Sequence, residues 1–416
     1  MAERSLRPSP NAAAALVLVL LVGALVLWQR PWSEGTGRPG VVPIPADAPA
    51  RLTAQLRELS AASTEADFVA AAGDLDRGRS FGRRTWASLR ALDARDVSWR
   101  YISGGDVADR SNGSARMVAE VSWRPGPDSG LDGGELHRAA VAFRVQPQDD
   151  GGLSIVDAAP RTGLLPIWLA GAVTVEEAPG SVVLAVDGGD QRLPIADMVD
   201  TARQAVERTV PRGRDDVVVV SPRTQAQMAD IVGQRVADVR QIAAVTTRLD
   251  RSTGSSAPVI VLNPAVFATM DRRAAQVVLS HEATHQLTRA VGSPAQSWVV
   301  EGFADYVALR DDTAPLSVSA GQILAQVRAG TVPRSLPTSA DFDGASHGLG
   351  AVYESAWMIF RLLDRDHGRA AVVRFYGSVL AGTPVDTALR DVFGLTEDEL
   401  TARWRDYLTK SASTVS

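Results

Sequence analysis

Cysteine is absent from this chain of 416 residues, and lysine occurs only once, at Lys410. The absence of cysteine excludes a disulfide framework, a thiolate zinc site, an iron–sulfur cluster and a cysteine nucleophile. The net charge is only -5 and no segment gathers arginines into a basic stripe, so we expect no nucleic-acid partner. Histidine is also scarce, with five residues, and its placement is therefore informative.

A long apolar run lies near the start of the sequence. Residues 12–28 are 17 consecutive apolar residues preceded by Arg4 and Arg7, a length at the short end of a membrane span. A cleavable signal peptide has similar regions, but a small-residue cleavage site should follow it, and Trp-Gln-Arg-Pro-Trp follows here. We therefore predict an uncleaved single-pass anchor in the cell membrane, with a signal peptide or a buried helix as the alternatives. The arginines predict a cytoplasmic N-terminus and place the rest of the chain outside the cytoplasm.

The rest of the sequence divides into a linker and two folded units. The length and an apolar share of 45% provide for more than one core. A helical pattern is followed by alternating apolar residues such as Trp99 and Tyr101, which predicts two helices and then a meander of half-buried strands. His137 stands alone in this part and is expected to be structural. The predicted segments are a cytoplasmic tip and transmembrane anchor at 1–30, a linker at 31–50, a small α+β module of unknown role at 51–165, and a larger domain at 166–410.

The larger domain combines strands and helices in its first half and is helical in its second half. This pattern predicts an α+β fold in which a mixed sheet lobe meets a helical lobe, and clefts are common at such a boundary. No strand is expected after residue 270. The predicted elements are a hairpin at 173–175 and 182–186, helices at 195–210 and 224–232, and strands at 217–221 and 258–262.

The motif His281-Glu282-x-x-His285 lies in a predicted helix at 271–290. Histidines four residues apart lie on one face of a helix, with Cβ atoms roughly 5 to 6 Å apart, so both imidazoles can bind one metal ion. Glu282 projects from the edge of that face, where it can act as a base toward a water on the ion. The opposite stripe, which includes Leu279, should face the core and leave the histidines facing a cleft.

Glu301 and Asp305 are the only carboxylates in a second helix, at 298–309, that is otherwise apolar. A helix this apolar should be buried, and buried carboxylates are costly unless they are paired or bind a metal. The first helix, a Gly/Pro loop and one turn of the second helix bring Glu301 level with the histidines, so it can be the third ligand. Asp305 can accept the remaining N–H of a ligating histidine and fix its tautomer. A buried salt-bridge pair without a metal is the alternative.

These residues resemble the gluzincin clan of zinc metallopeptidases, in particular the peptidase MA-like domains of membrane-anchored bacterial proteins. The resemblance covers about residues 172–408. It implies a mixed sheet and a helical lobe flanking a Zn²⁺ ion that His281, His285 and Glu301 hold. The motifs that carry it are His281-Glu282-x-x-His285, Trp298-x-x-Glu301-Gly302-x-Ala304-Asp305-Tyr306, Tyr353-Glu354-Ser355-Ala356, and a closing segment from Gly394 to Leu408.

The resemblance further implies that the hydroxyl of Tyr353 stabilises the oxyanion of a tetrahedral intermediate. A tyrosine beside an apolar helix is also a common packing residue, and His347, in a Gly/Ser-rich loop, is the other candidate for this role. We expect a membrane-tethered zinc metallopeptidase that hydrolyses peptide bonds of a peptide or protein substrate, with Glu282 as its base. The Gly-x-Met-Glu-Asn motif of the aminopeptidase relatives is absent, which favours an endopeptidase.

Two other classes of function stay open at the level of sequence. A degenerate peptidase domain would be a catalytically inactive binding protein of the cell envelope, although retention of Glu282 and both histidines argues against it. An envelope protein with a structural zinc would need four protein ligands, and the sequence offers three. The strand at 259–262 is expected to form a sheet edge along which an extended substrate pairs. The sequence names neither the substrate nor the oligomeric state.

Overall fold

The structure is a computed structural model. The predicted anchor at 12–28 lies outside the described residues. Within those residues, no helix has the length and apolar character that a membrane span requires. The described residues are 48–109, 114–131, 134–149, 152–161, 163–189, 193–210, 215–249, 256–342 and 348–414.

Among the described residues, three helices precede the first strand, where two were expected. Thr64 starts the second helix by accepting a hydrogen bond from the backbone N–H of Asp67. Gly73 ends that helix with a φ of 116°, and a Cβ at this position would lie 2.4 Å from the Ser154 hydroxyl oxygen, so only glycine fits the turn. The helices are α1 (Ala48–Ala61), α2 (Glu65–Ala72) and α3 (Asp76–Ala91).

A four-stranded antiparallel meander follows, as the alternating pattern predicts. Its order is that of the chain, and Trp99 pairs with Val121, which in turn pairs with Ala139. Trp99 and Val121 are buried because the inner face of the sheet packs on the three helices. The strands are β1 (Arg95–Asp109), β2 (Ser114–Arg124), β3 (His137–Pro147) and β4 (Leu153–Pro160).

A second sheet of five strands lies in the following part of the chain. Its order is β5-β6-β7-β9-β8, with β6, β7 and β9 parallel and both outer strands antiparallel to their neighbours. The predicted hairpin, strands and helices of this part are confirmed. The elements are α4 (Ile167–Ala170), β5 (Val173–Ala178), β6 (Ser181–Val186), α5 (Ile195–Thr209), β7 (Val217–Ser221), α6 (Gln225–Val232), β8 (Ala244–Arg248) and β9 (Pro258–Leu262).

β8 is not predicted by the sequence pattern, and it corrects the expectation for β9. The strand at 258–262 is buried at every position and lies between β7 and β8, so it is not a sheet edge. The edge is β8, whose sequence Ala-Val-Thr-Thr-Arg mixes apolar and polar residues. A strand buried on both faces is apolar throughout, whereas an edge strand can carry polar side chains.

After β9 the described residues are helical, as the sequence predicts. The two helices that carry the predicted site, α8 and α9, pack against each other and against α5. The helices are α7 (Pro264–Phe267), α8 (Arg272–Thr288), α9 (Ser297–Leu309), α10 (Leu316–Ser319), α11 (Gly321–Arg328), α12 (Leu349–His367), α13 (Arg369–Leu380), α14 (Val385–Phe393) and α15 (Glu397–Thr414).

The five-stranded sheet is covered by a hydrophobic core on each face. Val219 belongs to the core that includes α5 and the later helices, and its neighbour Val218 belongs to the core shared with the meander and α1–α3. Trp168, on α4, packs on the four-stranded sheet, because its ring lies 5.5 Å from that of Trp99 and 5.6 Å from that of Trp123, and it belongs to the same core as Val218 of the five-stranded sheet. The fold is therefore a mixed α/β architecture with two sheets and many helices. The domain boundary at residue 165 stays a prediction.

Candidate metal centre

α8 brings the two histidines of the motif together. Asp271 starts the helix by accepting a hydrogen bond from the backbone N–H of Ala274 at 2.8 Å. From that start, His281 and His285 lie one turn apart on one face. Their Nε2 atoms are 2.9 Å apart, and their ring centroids are 4.6 Å apart. Both imidazoles therefore present a nitrogen to the same point.

α9 brings a carboxylate to that point from the opposite side. The Oε2 atom of Glu301 lies 3.1 Å from His281 Nε2 and 3.5 Å from His285 Nε2. The three side chains form a buried group whose candidate ligand atoms lie within 4.8 Å of one another. The structure thus places Glu301 where the sequence predicts the third ligand, and two imidazoles with one carboxylate are a donor set that suits zinc.

Asp305 lies behind His281, on the side away from the other two groups. Its Oδ1 atom is 2.7 Å from His281 Nδ1. A proton on Nδ1 that is held by this carboxylate leaves Nε2 with its lone pair directed at Glu301 and His285. This is the placement that the sequence predicts for Asp305.

Negative charge accumulates in this part of the interior. Glu282, Glu301 and Asp305 are each 0% exposed, and among the described residues no arginine or lysine is buried to balance them. Each of the three carboxylates has one oxygen without a hydrogen-bond partner, namely Oε1 of Glu282, Oε1 of Glu301 and Oδ2 of Asp305. Buried carboxylate oxygens without a partner are costly, and a cation among them satisfies the electrostatics. The residues present therefore fit a divalent metal ion.

The same charges shift the pKa values of the site. Burial lowers the pKa of His281, but the carboxylates of Asp305 and Glu301 outweigh it and hold this pKa well above its usual value. Burial raises the pKa of Glu301, yet His285 and His281 bring it down to about 2. Burial raises the pKa of Asp305 above its ordinary value. A proton on His281 thus balances part of the negative charge, and metal binding would displace that proton.

Glu282 faces a different neighbour from the histidines. Its Oε2 atom accepts a hydrogen bond from the hydroxyl of Thr246, at 2.6 Å, and Oε1 is the oxygen without a partner. Thr246 lies on β8 and is 2% exposed. This contact is not predicted by the sequence, because no pattern marks residues 244–248 as a strand.

Tyr353 lies at the site, on α12. Its ring centroid is 6.3 Å from that of His281, and its hydroxyl interacts with the carboxylate of Glu301. Burial raises the pKa of Tyr353 well above its usual value, and the nearby carboxylates raise it further, so the phenol stays protonated and able to donate. The helix begins at Leu349, four residues before this tyrosine. The other candidate, His347, lies outside the described residues.

Glu354, next to Tyr353, is a fourth buried carboxylate, 1% exposed. Its Oε2 atom accepts a hydrogen bond from the backbone N–H of Ile323 at 2.7 Å, and its Oε1 atom lies 3.5 Å from the side-chain amide of Gln322. Both partners lie in the first turn of α11, so Glu354 fixes α12 against the start of α11. Burial raises the pKa of this carboxyl to about 8.

The expected cleft beside the histidines is not observed. His281 is 0% exposed and His285 is 2% exposed, and the stripe that includes Leu279 is buried as well. α8 is therefore packed on both of its faces, because the sheet lies on one side and α9 on the other. A cavity of about 410 Å³ lies elsewhere, between β5, β6 and the start of α5, and its lining residues include none from the site.

No protein-family model matches this chain, and a search of curated proteins finds no similar sequence. The case for a metal centre therefore rests on the geometry and charge of the residues themselves.

Proposed function

We propose that the chain is a zinc-dependent metallopeptidase of the gluzincin type, tethered to the membrane by residues 12–28. The observation that carries this proposal is the buried group of His281, His285 and Glu301, with Asp305 behind the first histidine. Glu282, beside that group, supplies the base that a hydrolase of this type requires.

The donor set favours a catalytic ion over a structural one. Structural zinc sites have four protein ligands, whereas catalytic sites have three and leave a position for water or substrate. The group contains three candidate ligands among the described residues. The resemblance of these sequence motifs to those of gluzincins also supports a catalytic ion.

A zinc ion bound there would supply a Lewis acid that polarises the scissile carbonyl and makes water more acidic. The carboxylate of Glu282 accepts a proton from the attacking water through Oε1, the oxygen without a partner. A new C–O bond forms at the carbonyl carbon, the C–N bond breaks, and Glu282 returns the proton to the leaving nitrogen. The hydroxyl of Tyr353 donates a hydrogen bond to the carbonyl oxygen as negative charge develops on it.

The outer edge of β8, whose residues Ala244, Val245 and Thr246 are buried in this structure, would hold the substrate once it is uncovered. The backbone N–H of Asn263 donates to the carbonyl of Ala243 at 2.8 Å, which continues the β8–β9 register by one residue. In this antiparallel pattern the backbone groups of Ala244, Thr246 and Arg248 point away from β9. An extended peptide that pairs with these groups would form an additional strand next to Glu282.

Metal analysis and a cleavage assay test the proposal. The full chain should bind one equivalent of zinc, Glu301→Ala should lose it, and Glu282→Gln should keep it while failing to cleave a peptide library. Glu176→Gln, a change at an exposed carboxylate of β5, is the matched control and should behave as wild type. Zinc binding that survives Glu301→Ala would refute the ligand assignment. A zinc-loaded wild type that cleaves no faster than Glu282→Gln would leave the inactive binding protein as the function.

A further inference from the structure

Thr246 donates a hydrogen bond from its hydroxyl to the carboxylate of Glu282. The distance of 2.6 Å between Thr246 Oγ1 and Glu282 Oε2 is that of a short hydrogen bond donated by a hydroxyl. The same hydroxyl lies 3.0 Å from the backbone carbonyl of Glu282, a longer, neutral contact. Since the hydroxyl has one proton, the shorter contact to the carboxylate is the hydrogen bond that it donates.

This contact gives the two oxygens of the Glu282 carboxylate different roles. Oε2 of Glu282 is occupied by the hydroxyl, and Oε1 has no partner. A donor on Oε2 leaves Oε1 as the oxygen that takes up a proton, and Oε2 then remains an acceptor for the same hydroxyl. The carboxylate thus keeps one orientation before and after it accepts a proton.

The location of Thr246 restricts the orientation of the Glu282 carboxylate. Its side chain is buried at 2% exposure, and its backbone is fixed by the pairing of β8 with β9. A buried β-branched residue in a strand has few rotamers, so the hydroxyl cannot easily move away from Glu282. Thr174, an exposed threonine on β5 of the same sheet, provides a matched control.

We propose that Thr246 is a positioning residue that holds the carboxylate of Glu282 through Oε2 and directs Oε1 toward the attacking water. This inference rests on the proposed peptidase function. It adds a residue outside the histidine motif, on the strand that we propose to hold the substrate.

Three substitutions in the full chain test the role in catalysis. Thr246→Val keeps the shape of the side chain and removes the hydroxyl, so kcat should fall by roughly 10-fold to 100-fold, the range found when partners that orient catalytic groups are removed. KM and zinc content should change by less than about twofold, because a hydrogen bond to the base orients it without binding substrate or metal. Thr246→Ser should restore most of kcat, and Thr174→Val should leave it unchanged. A Thr246→Val variant with the kcat of wild type would overturn the proposal.

Thermal unfolding of the metal-free proteins gives a readout that does not depend on activity. Thr246→Val should lower the melting temperature by several degrees when Glu282 is present, because a buried carboxylate oxygen loses its donor. In a Glu282→Ala background, Thr246→Val should lower the melting temperature by less than half as much. Equal losses in the two backgrounds would show that the hydroxyl and the carboxylate do not interact, and the proposal would fail.

The two readouts also separate this proposal from the proposed function. If wild type is inactive on every peptide and the coupling between Thr246 and Glu282 is present, the peptidase function is refuted and Thr246 is a structural partner only. If wild type is active and the coupling is absent, the peptidase stands and the positioning role is overturned.

Discussion

Glu354 gives the most direct test of the electrostatics near the site. This carboxyl is 1% exposed, and burial raises its pKa from an ordinary value of 4.5 to about 8. The folded protein therefore keeps a proton on Glu354 that the unfolded chain has already released. Between pH 4.5 and about 8 the folded state binds more protons than the unfolded state, so stability decreases as the pH rises through this range. Below pH 4.5 both states are protonated and the effect disappears.

The size of this loss of stability follows from the two pKa values of Glu354, 4.5 in the unfolded chain and about 8 in the folded protein. From about pH 6 to about pH 8 the ionisation of one such group removes roughly 2 kcal/mol of unfolding free energy. For a folded unit of 150–250 residues this corresponds to a decrease of roughly 4 to 8 °C in melting temperature. Glu354→Gln has no proton to lose and can still accept the hydrogen bond from Ile323. Its melting temperature should therefore decrease less over the same range.

The measurement is thermal unfolding of the metal-free protein at several pH values, followed by circular dichroism. The quantity of interest is the difference between Glu354→Gln and wild type, in which the titration of all other groups cancels. This difference should grow in favour of the variant as the pH rises from 6 to 8. The exposed control Glu176→Gln should show a constant difference. If the two curves for Glu354→Gln and wild type remain parallel over this range, Glu354 is not protonated in the folded state and the reasoning fails.

Three further substitutions test how the site is assembled. Asp305→Asn should weaken zinc binding by roughly 10-fold to 100-fold in a chelator competition, because the partner that orients His281 loses its charge. An unchanged zinc affinity would show that Asp305 does not orient His281. A Cβ at Gly302 would lie 2.7 Å from the carbonyl oxygen of Ala356. Gly302→Ala should therefore force α9 and α12 apart and lower the free energy of unfolding by about 1 to 3 kcal/mol. The control Gly377→Ala, which has open space around it, should not lower the free energy of unfolding. Trp168→Ala should cost about 3 to 5 kcal/mol in chemical denaturation, and a cost below about 1 kcal/mol would show that this ring does not stabilise the core that the two sheets share.

Much of the site could be predicted because its sequence signals are local. Helical spacing alone places His281 and His285 on one face, and the two carboxylates in an apolar helix at 298–309 indicate a buried cation site. The short connection between α8 and α9 then leaves little freedom in where Glu301 lies. Strands such as β7 and β9 are also recognisable, since they are continuous apolar runs bounded by turn residues.

The features that could not be predicted depend on contacts between distant parts of the chain. Thr246 lies 36 residues before Glu282, on a strand with no periodic pattern, so nothing in the sequence links the two. The loss of the expected cleft has a similar cause, because helix periodicity shows one apolar stripe on α8 but not that α9 covers the other face. Glu354 is different, since a lone carboxylate near the start of an apolar helix carries the same signal as Glu301 and Asp305.

The charges of the buried cluster explain why a metal ion suits this fold better than a proton does. Glu282, Glu301 and Asp305 contribute three negative charges at 0% exposure, and protonation of His281 balances only one of them. A divalent ion held by Glu301 and neutral histidines would balance two of them. A bound ion would therefore contribute to stability by mass action, and on the proposal of a zinc site the melting temperature should rise with the concentration of free zinc. Because this gain requires Glu301 as a ligand, Glu301→Ala should remove the zinc dependence, whereas Glu282→Gln should retain it.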